Sequence, residues 1–254
     1  MEKNNEQDLV SIIIPVYNAS KFLNDTLNTI LNQTYTNFEA LFVNDCSSDN
    51  SADIILKCSD ERVKLINNEK NSGAAVSRNN GIKNAKGRFI CFLDSDDLWK
   101  VNKLEEQVKF MKENNSIFSY TSYEFADENG KPNGKKVYVP ESITYKQALK
   151  NTTIWTSTVM FDMEKLTKDN IYMPDVRRGQ DTATWWKVLK TIDHADGLNK
   201  VLSYYRRSSN SLSANKIKAL KRTWNLYRNV EHLNILSCFY NFIIYCLNAI
   251  KRRI

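Results

Sequence analysis

Four short apolar segments govern what the N-terminal part of this chain can become: Val10 to Val16 (VSIIIPV), Ala40 to Val43 (ALFV), Val63 to Ile66 (VKLI) and Phe89 to Leu93 (FICFL). Runs with so little polar alternation suit strands buried on both faces. After the first of them, Phe22, Leu23, Thr26, Leu27, Ile30 and Leu31 recur at helical spacing, with Asn18-Ala-Ser20 placed to cap that helix. Ala74 to Ala85 is compatible with a second helix. Strands alternating with crossover helices predict a parallel, doubly wound α/β sheet. Polar clusters at 17–18, 44–49 and 94–97 follow strand ends. That is the edge at which open α/β sheets bind ligands.

Past residue 115 the rhythm fails. Ile117 to Phe125 and Lys135 to Val139 flank Asn129-Gly130 and Asn133-Gly134, which predicts a hairpin. Helices are expected near 144–151, 181–191, 214–232 and 235–251, and a strand from Val201 to Tyr205.

With 254 residues and 42% apolar content the chain has material for one compact domain, and its 26% charged content is that of a soluble protein. The net charge of +7 is uneven: residues 200–254 hold eleven Lys or Arg against one acid, Glu231, and the remainder is net −3. A basic tail on a slightly acidic body predicts an anionic partner at the tail rather than nucleic acid in a cleft. Cys46, Cys58, Cys91, Cys238 and Cys246 form no C-x-x-C pair, so free thiols in a reducing compartment are expected. The N-terminus, MEKNNEQDLV, has no signal-peptide pattern, and a cytoplasmic location is expected.

Chemistry concentrates in Phe92-Leu-Asp-Ser-Asp-Asp97, which places three carboxylates at the mouth of a buried strand. They repel one another unless a cation sits among them. Mg²⁺ or Mn²⁺ suits a site of few carboxylates completed by phosphate oxygens and water, and such an ion neutralises a departing diphosphate. Taken alone, an Asp-x-Asp is as compatible with a solvated acidic turn. An EF-hand is excluded: Asp94, Asp96 and Glu105 match its positions 1, 3 and 12, but Trp99 replaces the glycine at position 6 and a strand precedes the loop.

In order and spacing, Val10-Ser-Ile-Ile-Ile-Pro-Val-Tyr-Asn18, Val43-Asn-Asp-Cys-Ser-Ser-Asp49, Asn71-Ser-Gly-Ala-Ala-Val-Ser-Arg-Asn-Asn-Gly81 and Phe92 to Asp97 resemble the family 2 glycosyltransferases of GT-A fold. The resemblance is strong over residues 9–110 and extends more loosely to Tyr205-Arg206. It implies a Rossmann-like, mostly parallel sheet with flanking helices and a C-terminal helical tail. Residues 1–110 would form the nucleotide-sugar-binding half, 111–213 the acceptor half, and 214–254 a basic amphipathic tail. It also implies a donor site of Pro15, Tyr17, Asp45, Arg78, Asp94, Ser95 and Arg206, with Tyr17 and Asp45 lining a uracil pocket. Asp96, with Asp94, would hold Mn²⁺ or Mg²⁺. The donor would be a nucleoside-diphosphate sugar, UDP-linked, and the acceptor a lipid-linked saccharide of bacterial surface polysaccharide synthesis.

Inverting transfer needs a base on the acceptor hydroxyl. The two histidines, His194 and His232, are poorly placed, and Arg177-Arg-Gly-Gln-Asp181 resembles the family's Glu-Asp motif with Gln180 in place of Glu. Asp181 is therefore the expected base, with Asp175 next, although a helix-N-terminal Asp also suits the dipole. Trp185 and Trp186 offer a sugar-stacking face, but adjacent helical side chains diverge by about 100°, so at least one is expected in the core. No Gln-x-x-Arg-Trp motif of the processive members occurs, which favours addition of a single sugar. Tyr205-Arg206-Arg207 matches a family element near the diphosphate, with Ser208 and Ser209 where a histidine often follows.

The apolar stretch Ile235 to Ile250 is short for a spanning helix, and basic residues flank it. An interfacial position on the inner face of an anionic plasma membrane is expected, the alternative being that it packs on protein. Other functions fit less well. A nucleotidyltransferase would carry a Gly-rich basic loop after strand one, a nicotinamide enzyme G-x-G-x-x-G, and a serine hydrolase G-x-S-x-G. A non-catalytic glycan- or membrane-binding module is disfavoured by the intact Asp45, Asp94, Asp96 and Asp181.

Overall fold

The computed structural model describes residues 8–151, 153–176, 178–207 and 216–251. Arg177, Ser208, Ser209, Arg252 and Arg253 lie outside the described residues, as does the N-terminal polar segment up to Gln7.

The predicted alternation is present. β1 (Val10–Val16), α1 (Ser20–Leu31), β2 (Phe38–Asn44), α2 (Ser51–Leu56), β3 (Val63–Asn67), α3 (Ala74–Asn84) and β4 (Phe89–Phe92) follow in turn. These four strands are parallel and ordered β3-β2-β1-β4. Because side chains alternate along a strand, the sheet builds two cores. Ile13, Ile90 and Phe92 face α3, whereas Ile12, Ile14 and Cys91 face the core shared with Leu23, Leu27 and Ile30 of α1. Gly81 lets α3 lie close: a Cβ there would sit 2.4 Å from the Ile13 side chain.

The remaining elements extend the same sheet. They are β5 (Leu98–Trp99), α4 (Lys103–Glu113), β6 (Phe118–Ala126), β7 (Pro132–Val137), β8 (Ser142–Ile143), α5 (Tyr145–Ala148), β9 (Met160–Asp162), α6 (Lys168–Ile171), α7 (Gln180–Leu189), β10 (Ala195–Arg206), α8 (Lys216–Asn225) and α9 (Ile235–Lys251). The strand order continues β4-β9-β6-β10-β5, with β9 antiparallel to both neighbours. The expected hairpin is β6–β7.

Several expectations need correction. Asn18-Ala-Ser20 does not cap α1 with its own side chains; the Ala19 and Ser20 N–H groups donate instead to Ser51 Oγ (2.9 Å) and Asp49 Oδ2 (3.0 Å), more than a strand and helix away. The helix near 144–151 is one turn, fixed by a Thr144–Gln147 capping box. The strand expected at 201–205 runs from Ala195. The helix expected over 214–232 ends as α8 and passes into a wider turn, Leu226–Val230, in which Glu231 N–H reaches back five residues to Leu226 C=O.

α9 packs along one face and is exposed along the other. One face packs on the body through Cys238, Asn241 and Tyr245, and the preceding turn stacks Tyr227 on Trp186 at 5.5 Å and 16°. Glu231, buried there, pairs with Lys190 at 2.7 Å. The other face leaves Leu236 79% exposed, together with Phe239, Tyr240, Ile243 and Leu247. No helix among the described residues is long and apolar enough to cross a membrane.

Candidate active site

The loops leaving β1, β2 and β4 meet the N-terminal turns of α3 around a cleft of about 350 Å³. Its walls include Pro15 near the end of β1, Tyr17 after it, Phe22 on α1, Asp45 after β2, Ser77 and Arg78 on α3, and Asp94, Ser95 and Asp96 after β4. Tyr17 projects into it with 55% of its surface exposed.

Asp45 is buried and held on several sides. Its Oδ1 accepts from Asn68 Nδ2 (2.7 Å) and Ser72 N–H (2.9 Å), and its Oδ2 accepts from Gly73 N–H (2.7 Å). Gly73 precedes α3 with φ +86°, a conformation few other residues adopt. Asn18 and Cys46 are left-handed as well, at φ 48° and 59°. The Asn18 side-chain oxygen accepts from Ser48 N–H at 2.8 Å, so the ends of β1 and β2 are tied together.

The carboxylate loop is organised from three directions. The Thr26 hydroxyl of α1 lies 2.9 Å from the Ser95 carbonyl and 3.0 Å from that of Asp97. Arg78 donates to Asp94 Oδ1 at 2.5 Å, and its buried Nε has no partner. Asp97 turns away from the cleft and is buried, accepting from Ser157 Oγ (2.7 Å) and Arg206 N–H (3.2 Å). Burial, reinforced by Asp96 and Asp94, pushes its carboxyl well above the usual range. Asp96 points to the opening. Water reaches it, yet enclosure by the surrounding loop and the charge of Asp94 still push it up to about 6. Two carboxylates on one cleft wall, one resisting ionisation because of the other, fit a hard cation that also binds phosphate oxygens. No set of three His, Cys, Asp or Glu forms a complete cage among the described residues.

Asp181 lies outside this lining, in the first turn of α7. Its Oδ2 accepts from Thr156 Oγ1 at 3.1 Å, while Oδ1 accepts from Thr182 N–H at 2.7 Å. The adjacent Ser157 hydroxyl contacts Asp97 and accepts from Asp94 N–H at 3.1 Å. The short turn at Thr156–Thr158 thus touches both the Asp181 carboxylate and the carboxylate loop. Gln180 Oε1 is buried without a partner, and Asp175 is exposed. Arg206 sits behind the cleft wall: its guanidinium is 4.8 Å from the Phe22 ring and donates to Asp25 (3.0 Å) and the Glu128 carbonyl (3.0 Å). Arg206 is buried and is not among the residues lining the cleft. Trp185 and Trp186 are each 2% exposed, so neither presents a sugar-stacking face. His194 faces Asp196 on the surface.

Residues 11–173 match the sequence profile described as "Glycosyl transferase family 2". The chain belongs to that family. It is 44% identical over 252 residues to the Bacillus subtilis (strain 168) protein described as "Putative teichuronic acid biosynthesis glycosyltransferase TuaG", covering 98% of this chain and 99% of that one. It is 40% identical over 245 residues to the Escherichia coli "UDP-Glc:alpha-D-GlcNAc-diphosphoundecaprenol beta-1,3-glucosyltransferase WfgD", covering 96% and 94%. The fold is that of Staphylococcus aureus TarS 1-349 in complex with UDP-GlcNAc (TM-score 0.69, 22% identity, 88% of this chain and 67% of that one). It is also that of the Pyrobaculum calidifontis mannosyltransferase PcManGT in complex with GDP-Man and Mn²⁺ (TM-score 0.70, 15% identity, 96% and 74%).

The structure thus holds two clusters: Tyr17, Asp45, Arg78, Asp94 and Asp96 around the cleft, and Asp181 with Thr156 beside it. Sequence reading missed the residues that join them, Thr156 and Ser157. Their only signal is Thr156-Ser-Thr158, a hydroxyl-rich turn between apolar segments.

Proposed function

We propose that this glycosyltransferase is metal-dependent and inverting, and adds one sugar from a UDP-linked donor to a hydroxyl of a lipid-linked saccharide. The observation carrying this reading is the convergence of Tyr17, Asp45, Arg78, Asp94 and Asp96, drawn from four separate segments, on one cleft. Tyr17 lies beside the base, Asp45 accepts its imide N–H, and Arg78 with Asp94 holds the ribose-diphosphate end. Asp96 and Asp94 would hold Mn²⁺ or Mg²⁺, and a bound ion would supply positive charge to the departing diphosphate. Asp181 accepts the acceptor hydroxyl proton as that oxygen bonds to the anomeric carbon from the face opposite the breaking bond. The names of the relatives support the acceptor class, and the missing Gln-x-x-Arg-Trp motif supports single addition.

The same reading places the protein on the cytoplasmic face of the plasma membrane through α9. Its exposed stripe, Leu236, Phe239, Tyr240, Ile243 and Leu247, has basic neighbours in Lys150, 4.6 Å from the Tyr240 ring, and the exposed Lys221 and Arg228. That composition suits an interfacial helix on anionic lipid. Flotation with phosphatidylglycerol-containing vesicles tests it: the protein should bind at low salt, and replacing Leu236, Phe239, Ile243 and Leu247 by Ser should abolish binding without lowering Tm. Transfer is tested with UDP-sugars and a short-chain α-GlcNAc-diphospholipid, with and without EDTA. Product carrying several added sugars, or full activity in EDTA, would refute the corresponding part.

A further inference from the structure

Beside the Thr156–Thr158 turn lies a group of four aromatic rings that the site described above does not use. Trp155 and Tyr205 pack as a tilted pair, with centroids 4.4 Å apart and ring planes at 37°. Tyr123 lies 5.1 Å from Trp155, and Phe125 lies 5.5 Å from Tyr205. Tyr123 and Phe125 are buried, whereas Trp155 and Tyr205 remain partly exposed. This differs from Trp185 and Trp186, which are covered on all sides by core. A buried rear pair and a partly exposed front pair make an aromatic cluster that reaches the surface, with the Arg207 guanidinium 3.9 Å from the Phe125 ring centroid and 5.9 Å from that of Tyr205.

The chain links this cluster to both carboxylate groups. Trp155 immediately precedes Thr156, which donates to Asp181, and is two residues from Ser157, which donates to Asp97. Tyr205 immediately precedes Arg206, whose N–H donates to the same Asp97. The front rings are therefore one residue from ties to the proton acceptor and to the carboxylate loop. None of the four rings lines the donor cleft.

We infer that Trp155 and Tyr205 form the subsite for the acceptor saccharide, with the C–H face of a pyranose ring resting on the Trp155 indole. A flat apolar ring face and a rigid indole bury area against each other at little entropic cost, and polar groups elsewhere fix orientation. Stacking there sets the hydroxyl within reach of Asp181, the positioning on which transfer depends. The inference rests on the lipid-linked saccharide reading above.

The test compares wild type with Trp155→Ala, Trp155→Phe and Trp155→Leu. It measures KM and kcat for a short-chain α-GlcNAc-diphospholipid, UDP affinity by calorimetry, and Tm. Trp155→Ala should raise acceptor KM about tenfold or more, Trp155→Phe should recover most of that loss, and UDP affinity should hold. Trp155→Leu keeps apolar bulk without an aromatic face, so it should resemble Ala in KM while keeping the wild-type Tm. An unchanged acceptor KM in the Leu variant, or a UDP affinity that falls as far as acceptor affinity, overturns the subsite. Wild type is measured first against glucosyl, galactosyl and N-acetylglucosaminyl diphospholipids. Failure with all of them overturns the proposed acceptor class, and the subsite with it, whatever the variants do.

Discussion

Asp45 and Asp181 are both carboxylates set at the end of an element near the substrate cleft, yet they are held very differently. Asp45 accepts three hydrogen bonds from three other residues and is buried. Asp181 accepts one from outside its own helix turn, from Thr156, and is partly exposed. A group that must hold a shape gains from several fixed partners, because every missing partner costs desolvation. Three of the roughly four acceptor positions of Asp45 are filled, which leaves Oδ2 able to take one more N–H. A group that must take up a proton needs a free lone pair and a path to the substrate. Asp45 is thus held from three sides, and Asp181 hangs on one hydroxyl outside its own helix.

The sharpest way to break this comparison is Asp181→Asn, which keeps the shape and removes the proton acceptor. Transfer should fall about 10²–10⁴-fold, the usual span for general-base catalysis. UDP affinity by calorimetry should be unchanged; a near-normal rate would move the base to another residue, with Asp175 the first to try. Next in size is Asp96→Ala. Losing the metal's contribution of several kcal/mol should slow transfer roughly 10²–10³-fold. Unlike the first variant, it should also remove the dependence of UDP affinity on Mn²⁺, with Tm preserved because this side chain is exposed.

Thr156→Val leaves Asp181 in place but cuts its tertiary tie. We expect kcat to drop about tenfold, consistent with loss of one hydrogen bond of about 1.5 kcal/mol. Thr156→Ser should restore it, and the comparison weakens if Val and Ser behave alike.

The smallest effect tests whether the donor half has stability to spare. Lys103 on α4 is fully buried, its Nζ has no hydrogen-bond partner, and it lies 3.8 Å from the Trp99 ring centroid. Burial pulls its ammonium down from 10.5 to about 8. A folded pKa below the unfolded one means the unfolded chain binds more protons between those values, so stability should rise with pH from about 8 to about 10.5. Below pH 8 both states are charged and the cost is complete. Lys103→Met should therefore raise stability by about 1–3 kcal/mol at pH 7. The gain should shrink toward zero near pH 10.5; urea titrations at pH 7 and 10 would decide it.

Much of the donor half could be read from the chain because its strands are long enough to show a pattern and its loops follow them directly. β1 and α1 begin and end where their apolar spacing says they should. The rest of the sheet mixes two long strands, β6 and β10, with very short ones: β5 and β8 have two residues each and β9 three, too few for any periodicity. Its organising bonds are tertiary: Arg206 reaches Asp25 across 181 positions, and Ser157 reaches Asp97 across 60. Hydropathy cannot reveal such pairs. The tryptophans illustrate the same limit. Trp185-Trp186 looked like a platform because of its composition, but α7 turns one ring toward Phe92 and Phe118 and the other toward Tyr227. The partly open tryptophan, Trp155, stands in a loop with no pattern to flag it.

The position of β9 bears on how such enzymes can be recombined. Coming from the C-terminal part of the chain, it slots beside β4, pairing Cys91 with Met160 and Phe89 with Asp162, and on its other edge pairs with β6. Arg88 clasps buried Asp162 at 3.0 Å across that seam. A chimera that joins one relative's residues 1–110 to another's C-terminal part would cut no strand in the sequence, yet it would place unmatched side chains along the β4 edge of β9. Grafts meant to change acceptor choice should therefore carry the β4 face and Arg88 with β9, or leave that seam intact and exchange only the loops that rise above it.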